Sequence, residues 1–158
     1  MHEPSANAPT GALIDHIQTR YHEVHRRELP DLIWLAGQVE ALHATDPNTP
    51  HGLTQALEMM IAELDAHMRE EEEIVFPALR TGGAAHAVAA VSHLRAAHDG
   101  QEAALNRIAA ITHGFRLPDY ACDSWRKLYK GLGKLAEDLD EHIHLENEVL
   151  FPRIENRA

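Results

Sequence analysis

Two stretches of this chain repeat one pattern of residue types. The first reads His67-x3-Glu71-x4-Phe76-Pro77 and the second His142-x3-Glu146-x4-Phe151-Pro152. Residues four apart share one face of a helix, so each copy sets an imidazole beside a carboxylate. A histidine precedes each copy at a matching distance. His22 stands before His67 as His98 stands before His142, and the two separations differ by a single position. The chain reads as two copies of one helical hairpin. Each copy offers a histidine on its first helix and a histidine plus a glutamate on its second.

Hydrophobic periodicity agrees. Leu13, Ile14, Ile17, Tyr21 and Val24 recur at helical spacing, as do Leu32, Leu35, Ala36, Val39 and Leu42. This predicts a first helix over 11–43, with a kink or short break near Arg27–Pro30, because proline lacks the N–H an interior helix position needs. A second helix is expected over 53–79, with Leu57, Met60, Ile61, Leu64 and Met68 inward and Thr81-Gly-Gly as its stop. A third is expected over 85–112 and a fourth over 121–150, ended by Pro152. In each motif the phenylalanine is expected to pack inward and the proline to end or bend the helix. No stretch alternates like a strand. The expected fold is all-α, an up-down-up-down four-helix bundle over 11–158 behind a flexible tail at 1–10.

With 158 residues there is room for one domain. A net charge of -11 argues against nucleic acid and anionic lipid as partners. No apolar run approaches a membrane span. No secretory signal is evident at the start. A single cysteine, Cys122, excludes an internal disulfide and fits a reducing compartment, the cytoplasm. The 13 histidines nearly equal the 14 lysines and arginines, and histidine is the commonest metal ligand.

Two hairpins around one core would gather His22, His67, His98 and His142 with Glu71 and Glu146. Four imidazoles and two carboxylates suit a pair of first-row transition ions, each held by two nitrogens and two carboxylate oxygens. So nitrogen-rich a set favours redox-active iron over magnesium or calcium. Helix levels strain the picture. Counted from the first loop, His22 and His67 differ by about five residues, roughly 8 Å. The kink at Pro30 and the loop length are expected to absorb this. In the second hairpin the loop has to climb along the bundle, or the last helix has to overhang.

Alternatives remain at single positions. His25 lies one turn from His22, and His93 competes with His98. His43 sits at a helix end, where a capping or supporting role suits it better than ligation. His2, His16, His51, His86, His113 and His144 read as surface or loop residues. Glu70, Glu72 and Glu73 read as a solvated run, one of which could orient a ligand.

The chain resembles the hemerythrin-like domain of the RIC proteins, the "repair of iron centres" family. The matching stretches are Arg20-Tyr-His22, Val39-Glu-Ala-Leu-His43, His67-x3-Glu71 with Phe76-Pro77, and Ala97-His98-Asp99. They continue through Ala121-Cys-x2-Trp125 and Asp140-Glu-His142-x-His-Leu-Glu146-Asn-x-Val-Leu-Phe-Pro152. The resemblance implies a non-haem di-iron centre with an oxo or hydroxo bridge, on His22, His67, Glu71, His98, His142 and Glu146. It implies protection or repair of iron–sulfur clusters damaged by nitric oxide or oxidants, through iron donation or nitric oxide binding, with apo iron–sulfur proteins as partners. The alternative is a hemerythrin-like oxygen or nitric oxide carrier or sensor without turnover. Many RIC proteins also carry a small N-terminal domain with a cysteine pair. That pair is absent here, so thiol chemistry or cluster handover is not expected from these residues.

Overall fold

The computed structural model describes residues 6–156. The remainder of the expected tail and bundle, 1–5 and 157–158, lies outside the described residues. Helix α1 spans 10–42 and is built from Thr10–Ile17, a π-turn at Gln18–His22 and Glu23–Leu42. Helix α2 spans 53–81, from Leu53–Glu70 through a π-turn at Glu71–Val75 to Phe76–Thr81. Helix α3 is Ala84–Ile111. Helix α4 spans 123–150, Asp123–Leu145 followed by a π-turn at Glu146–Leu150, and a short α5, Pro152–Glu155, closes the chain. The described residues form no strand. The chain is an all-α four-helix bundle, with α1 packed on α2 and α4, and α2 on α3.

The boundaries have local causes. Gly82 adopts φ 81° at the end of α2, where the Gly83 N–H reaches the Ala78 carbonyl at 2.9 Å. A side chain disfavours that left-handed conformation, so glycine is the residue that stops a helix there. Pro30 does not break α1, which runs unbroken over Glu23–Leu42. Pro30 is exposed, so the carbonyl it leaves without a partner can turn to water. Helix continues past Pro77, as the expected span 53–79 has it, and resumes in a short turn at Pro152, which was expected to end the fourth helix.

Two apolar cores fill the bundle. At the loop end Leu32, Val39, Leu57, Leu64, Trp125, Leu132 and Leu139 belong to one cluster. At the opposite end Leu13, Ile17, Phe76, Leu79, Val91, Leu94, Leu150 and Phe151 belong to the other. Leu42, expected inward, is 67% exposed. Gly131 of α4 faces Leu32 of α1, where an added Cβ would stand 2.5 Å from Leu32 Cδ2, so its missing side chain lets these two helices close up.

The level mismatch is resolved by helix length. The stretch from His22 to the end of α1 at Leu42 rises roughly 30 Å, and the stretch from the start of α4 at Asp123 to His142 rises about as far. From Leu53 to His67 in α2, and from His98 to Ile111 in α3, the rise is only about 20 Å. Helices α1 and α4 therefore reach roughly 9 Å further towards the loops than α2 and α3. The loops 43–52 and 112–122 climb back over the step. They are tied together where Tyr120 Oη donates to Asp46 Oδ1 at 2.9 Å and Asn48 Nδ2 donates to Tyr120 Oη at 3.0 Å.

The loop-end core sets a stability expectation. Leu139→Ala, at a fully buried position, should cost the metal-free protein about 2–5 kcal/mol in urea unfolding. Trp34→Ala, at a position 64% exposed, should change it by less than about 0.5 kcal/mol.

Candidate metal centre

The two apolar cores are separated by a polar layer. His22, His25, His67, Glu71, His98, His142 and Glu146 are all buried there. Each π-turn delivers one of them: His22 ends the first, Glu71 begins the second and Glu146 begins the third. In the repeated motif the cause is the proline. Pro77 and Pro152 carry no N–H, and their rings crowd the carbonyl four residues back. The preceding phenylalanine is then the last donor before the proline. Its N–H reaches back five residues, Phe76 to the Glu71 carbonyl and Phe151 to the Glu146 carbonyl, the latter at 2.8 Å. That wide turn is a π-turn, a form frequent at functional sites. Both phenylalanines also pack on the layer. Phe76 stacks on His22 with centroids 5.6 Å apart, and Phe151 stacks on His98 at 5.5 Å.

The structure brings all six sequence-predicted residues together. One atom each from His22, Glu71, His142 and Glu146 lie within 4.8 Å of one another, as do one each from His67, His98 and Glu146. Glu71 Oε1 stands 3.1 Å from His22 Nε2 and 3.5 Å from His67 Nε2. Glu146 Oε2 stands 2.9 Å from His142 Nε2, and its Oε1 stands 2.9 Å from His98 Nε2 and 3.6 Å from His67 Nε2. Both carboxylates thus lie between two imidazole pairs. The pairs form across the sequence repeat, His22 of α1 with His142 of α4, and His67 of α2 with His98 of α3.

The competitors separate cleanly. His93 is exposed and pairs with Glu70 at 2.9 Å, outside the layer. His43 lies in the loop-end region, 4.9 Å from the Trp125 ring and 3.4 Å from Cys122 Sγ. His25 is buried within the layer but stands behind a neighbour, its Nε2 3.2 Å from His142 Nδ1. Of the acidic run, Glu72 turns inward. Its Oε2 accepts from His22 Nδ1 at 2.7 Å, and Arg26 grips both its oxygens at 2.7 and 2.9 Å. In the second copy Asn147 Oδ1 takes the same place, accepting from His98 Nδ1 at 2.7 Å. Sequence reasoning left Glu72 among three candidates and passed over Asn147. The register of the repeat was the available signal, since each directly follows the motif glutamate.

The donor set fits a cation. With Nδ1–H of His22 and His98 committed to these acceptors, both Nε2 atoms keep lone pairs that face carboxylate oxygens. His98 Nε2 also faces His67 Nε2 at 3.1 Å. Glu71 Oε2 is buried without a hydrogen-bond partner. Lone pairs that face one another in an apolar interior call for positive charge between them. Burial pushes His22 down to about 4, with His142 adding to the effect, and pushes His25 down to about 3 for the same two reasons. Burial likewise lowers His67. All three are therefore neutral at pH 7, the form that binds metal. Burial, then the neighbouring Glu146, raises Glu71. Burial opposes ionisation of Glu146 too, but His142 and the surrounding hydrogen bonds outweigh it and hold Glu146 low. Two buried carboxylates this close do not both ionise without a counter-charge.

The family model described as Hemerythrin HHE cation binding domain matches residues 13–154. The chain belongs to the hemerythrin family. Among curated relatives, this hemerythrin chain is similar to the Iron-sulfur cluster repair protein YtfE of Escherichia coli O1:K1, at 44% identity over 147 residues, 93% of this chain and 67% of the relative. The protein of the same name from Escherichia fergusonii matches with the same identity and coverage. This hemerythrin bundle leaves small hollows beside its polar layer. His67 borders one of about 310 Å³ between α2 and α3. His25 borders one of about 360 Å³ between α1 and α2.

The layer predicts how the metal-free hemerythrin domain responds to acid. His22 and His25 hold protons less tightly folded than unfolded. The stability this reflects is complete above pH 6.5 and is lost as pH falls from 6.5 towards 4 for His22 and towards 3 for His25, opposed in part by Glu71, whose raised carboxyl gains stability as pH falls. Each can contribute a slope of up to about 1.4 kcal/mol per pH unit. The urea midpoint of the metal-free protein should fall between pH 7.5 and 5.5. An unchanged midpoint would contradict the neutral, buried imidazoles.

Proposed function

We propose that this chain is a non-haem di-iron protein that repairs iron–sulfur clusters damaged by nitric oxide or oxidants. The observation that carries the reading is the convergence of four imidazoles and two carboxylates in one buried layer, in a chain 44% identical to proteins named for iron–sulfur cluster repair. His22 and His142 would hold one iron, His67 and His98 the other, and Glu71 and Glu146 both. Iron held there would supply a binding place for nitric oxide or dioxygen, and cargo for an apo iron–sulfur protein.

The chain's own residues prepare that site. The apolar cores on both sides keep bulk water out. Glu72 and Asn147 hold protons on the Nδ1 atoms of His22 and His98, which turns each Nε2 lone pair inward. Phe76 and Phe151 limit ring rotation by stacking. The bundle domain, expected at 11–158, carries all six of these residues. No helix among the described residues is long and apolar enough to cross a membrane. A single free thiol, Cys122, supports a cytoplasmic setting.

The test is reactivation of a [4Fe–4S] hydratase inactivated by nitric oxide. The iron-loaded protein should restore its activity faster than an equal amount of free ferrous iron. Glu146→Ala, which lacks the carboxylate shared by both positions, should give no acceleration. No acceleration by a wild-type protein that carries its iron would overturn the repair reading.

A further inference from the structure

The sequence repeat lays the same parts around both metal positions, but the supports behind the imidazoles differ. At the first position His22 Nδ1 donates to a carboxylate, Glu72 at 2.7 Å. That carboxylate is fixed by the two-pronged grip of Arg26. Its partner His142 has Nδ1 3.2 Å from His25 Nε2 and lies flat against the Tyr21 ring, centroids 5.0 Å apart and planes 5° apart. At the second position His98 Nδ1 donates to a neutral amide, Asn147. His67 Nδ1 is buried with no hydrogen-bond partner among the described residues. Gln101, buried, holds the repeat register that His25 holds in the first copy, and it does not reach His67 Nδ1.

A carboxylate acceptor draws the Nδ1 proton further from the ring than an amide does. The ring becomes a stronger donor at Nε2. A ring held on its far side also loses less freedom when it ligates than one that is not held. Both effects act in the same direction, and both favour the first position.

We propose that the two metal positions are unequal by construction: the one between His22 and His142 binds its ion more tightly, and the one between His67 and His98 gives up its ion first. This rests on the di-metal reading above. Glu72 and Asn147 are the positioning residues that set the difference, and the repeated hairpins have diverged at that register. A centre built this way keeps one ion as an anchor while the other exchanges. That suits a site from which iron is delivered.

The test is an anaerobic titration of the metal-free protein with Co²⁺, followed by its visible absorption and then by release to a chelator. The wild type should bind two ions in two steps that differ about 10–100-fold in affinity. Glu72→Gln should weaken the tighter step and bring it towards the looser one. Asn147→Asp should tighten the looser step and leave the tighter one in place, a gain that a damaged fold does not produce. Two ions bound in indistinguishable steps would overturn the proposal while leaving the di-metal reading intact. So would Glu72→Gln acting on the looser step. Fewer than two ions per chain would overturn both.

Discussion

A layer of five imidazoles and two carboxylates buried between two apolar cores is the constraint on which this molecule turns. Polar groups are costly to bury without partners, and carboxylates more so. The layer contains more acceptors than donors. Its lone pairs face one another at 2.9–3.6 Å, and Glu71 keeps one oxygen with no partner. The cores on either side hold it closed, and a cation would satisfy it. In this sense fold and site are one object: the hydrophobic packing compresses the layer, and a bound ion would link all four helices.

Much of the rest follows from bringing that layer level. Helices α1 and α4 extend further towards the loops than their neighbours, and two long loops cover the difference. Three π-turns rotate His22, Glu71 and Glu146 into the layer. The Phe-Pro pairs follow two of these turns and place a ring against the imidazole of another helix. Supports such as Glu72 with Arg26 then fix which nitrogen faces inward.

The composition of the layer was legible in the sequence, because helical period alone sets His67 beside Glu71 and His142 beside Glu146. The upstream histidines followed from the repeat. Other features depend on three-dimensional packing that no local spacing encodes. Spacing could not separate His22 from His25, which sit one turn apart on the same buried stripe. Only the packing of α1 against α4 sends His25 behind His142. Pro30 was expected to kink or break α1, and on the solvent side it does not break it. The Phe-Pro pairs were expected to end or bend the helix; each follows a turn where the helix widens, and only at Pro152, expected as a stop, does the resumed helix differ from expectation. Pairing across the repeat, His22 with His142 and His67 with His98, arises from which helices are neighbours.

On the proposed reading this layer would hold two ions. Elemental analysis per chain, on protein loaded anaerobically with ferrous iron and then freed of excess by gel filtration, tests it most directly. Two irons per chain are expected in the wild type and none in the Glu71→Ala, Glu146→Ala double variant. A folded wild-type protein that retains no iron, or a double variant that retains as much as the wild type, would contradict it.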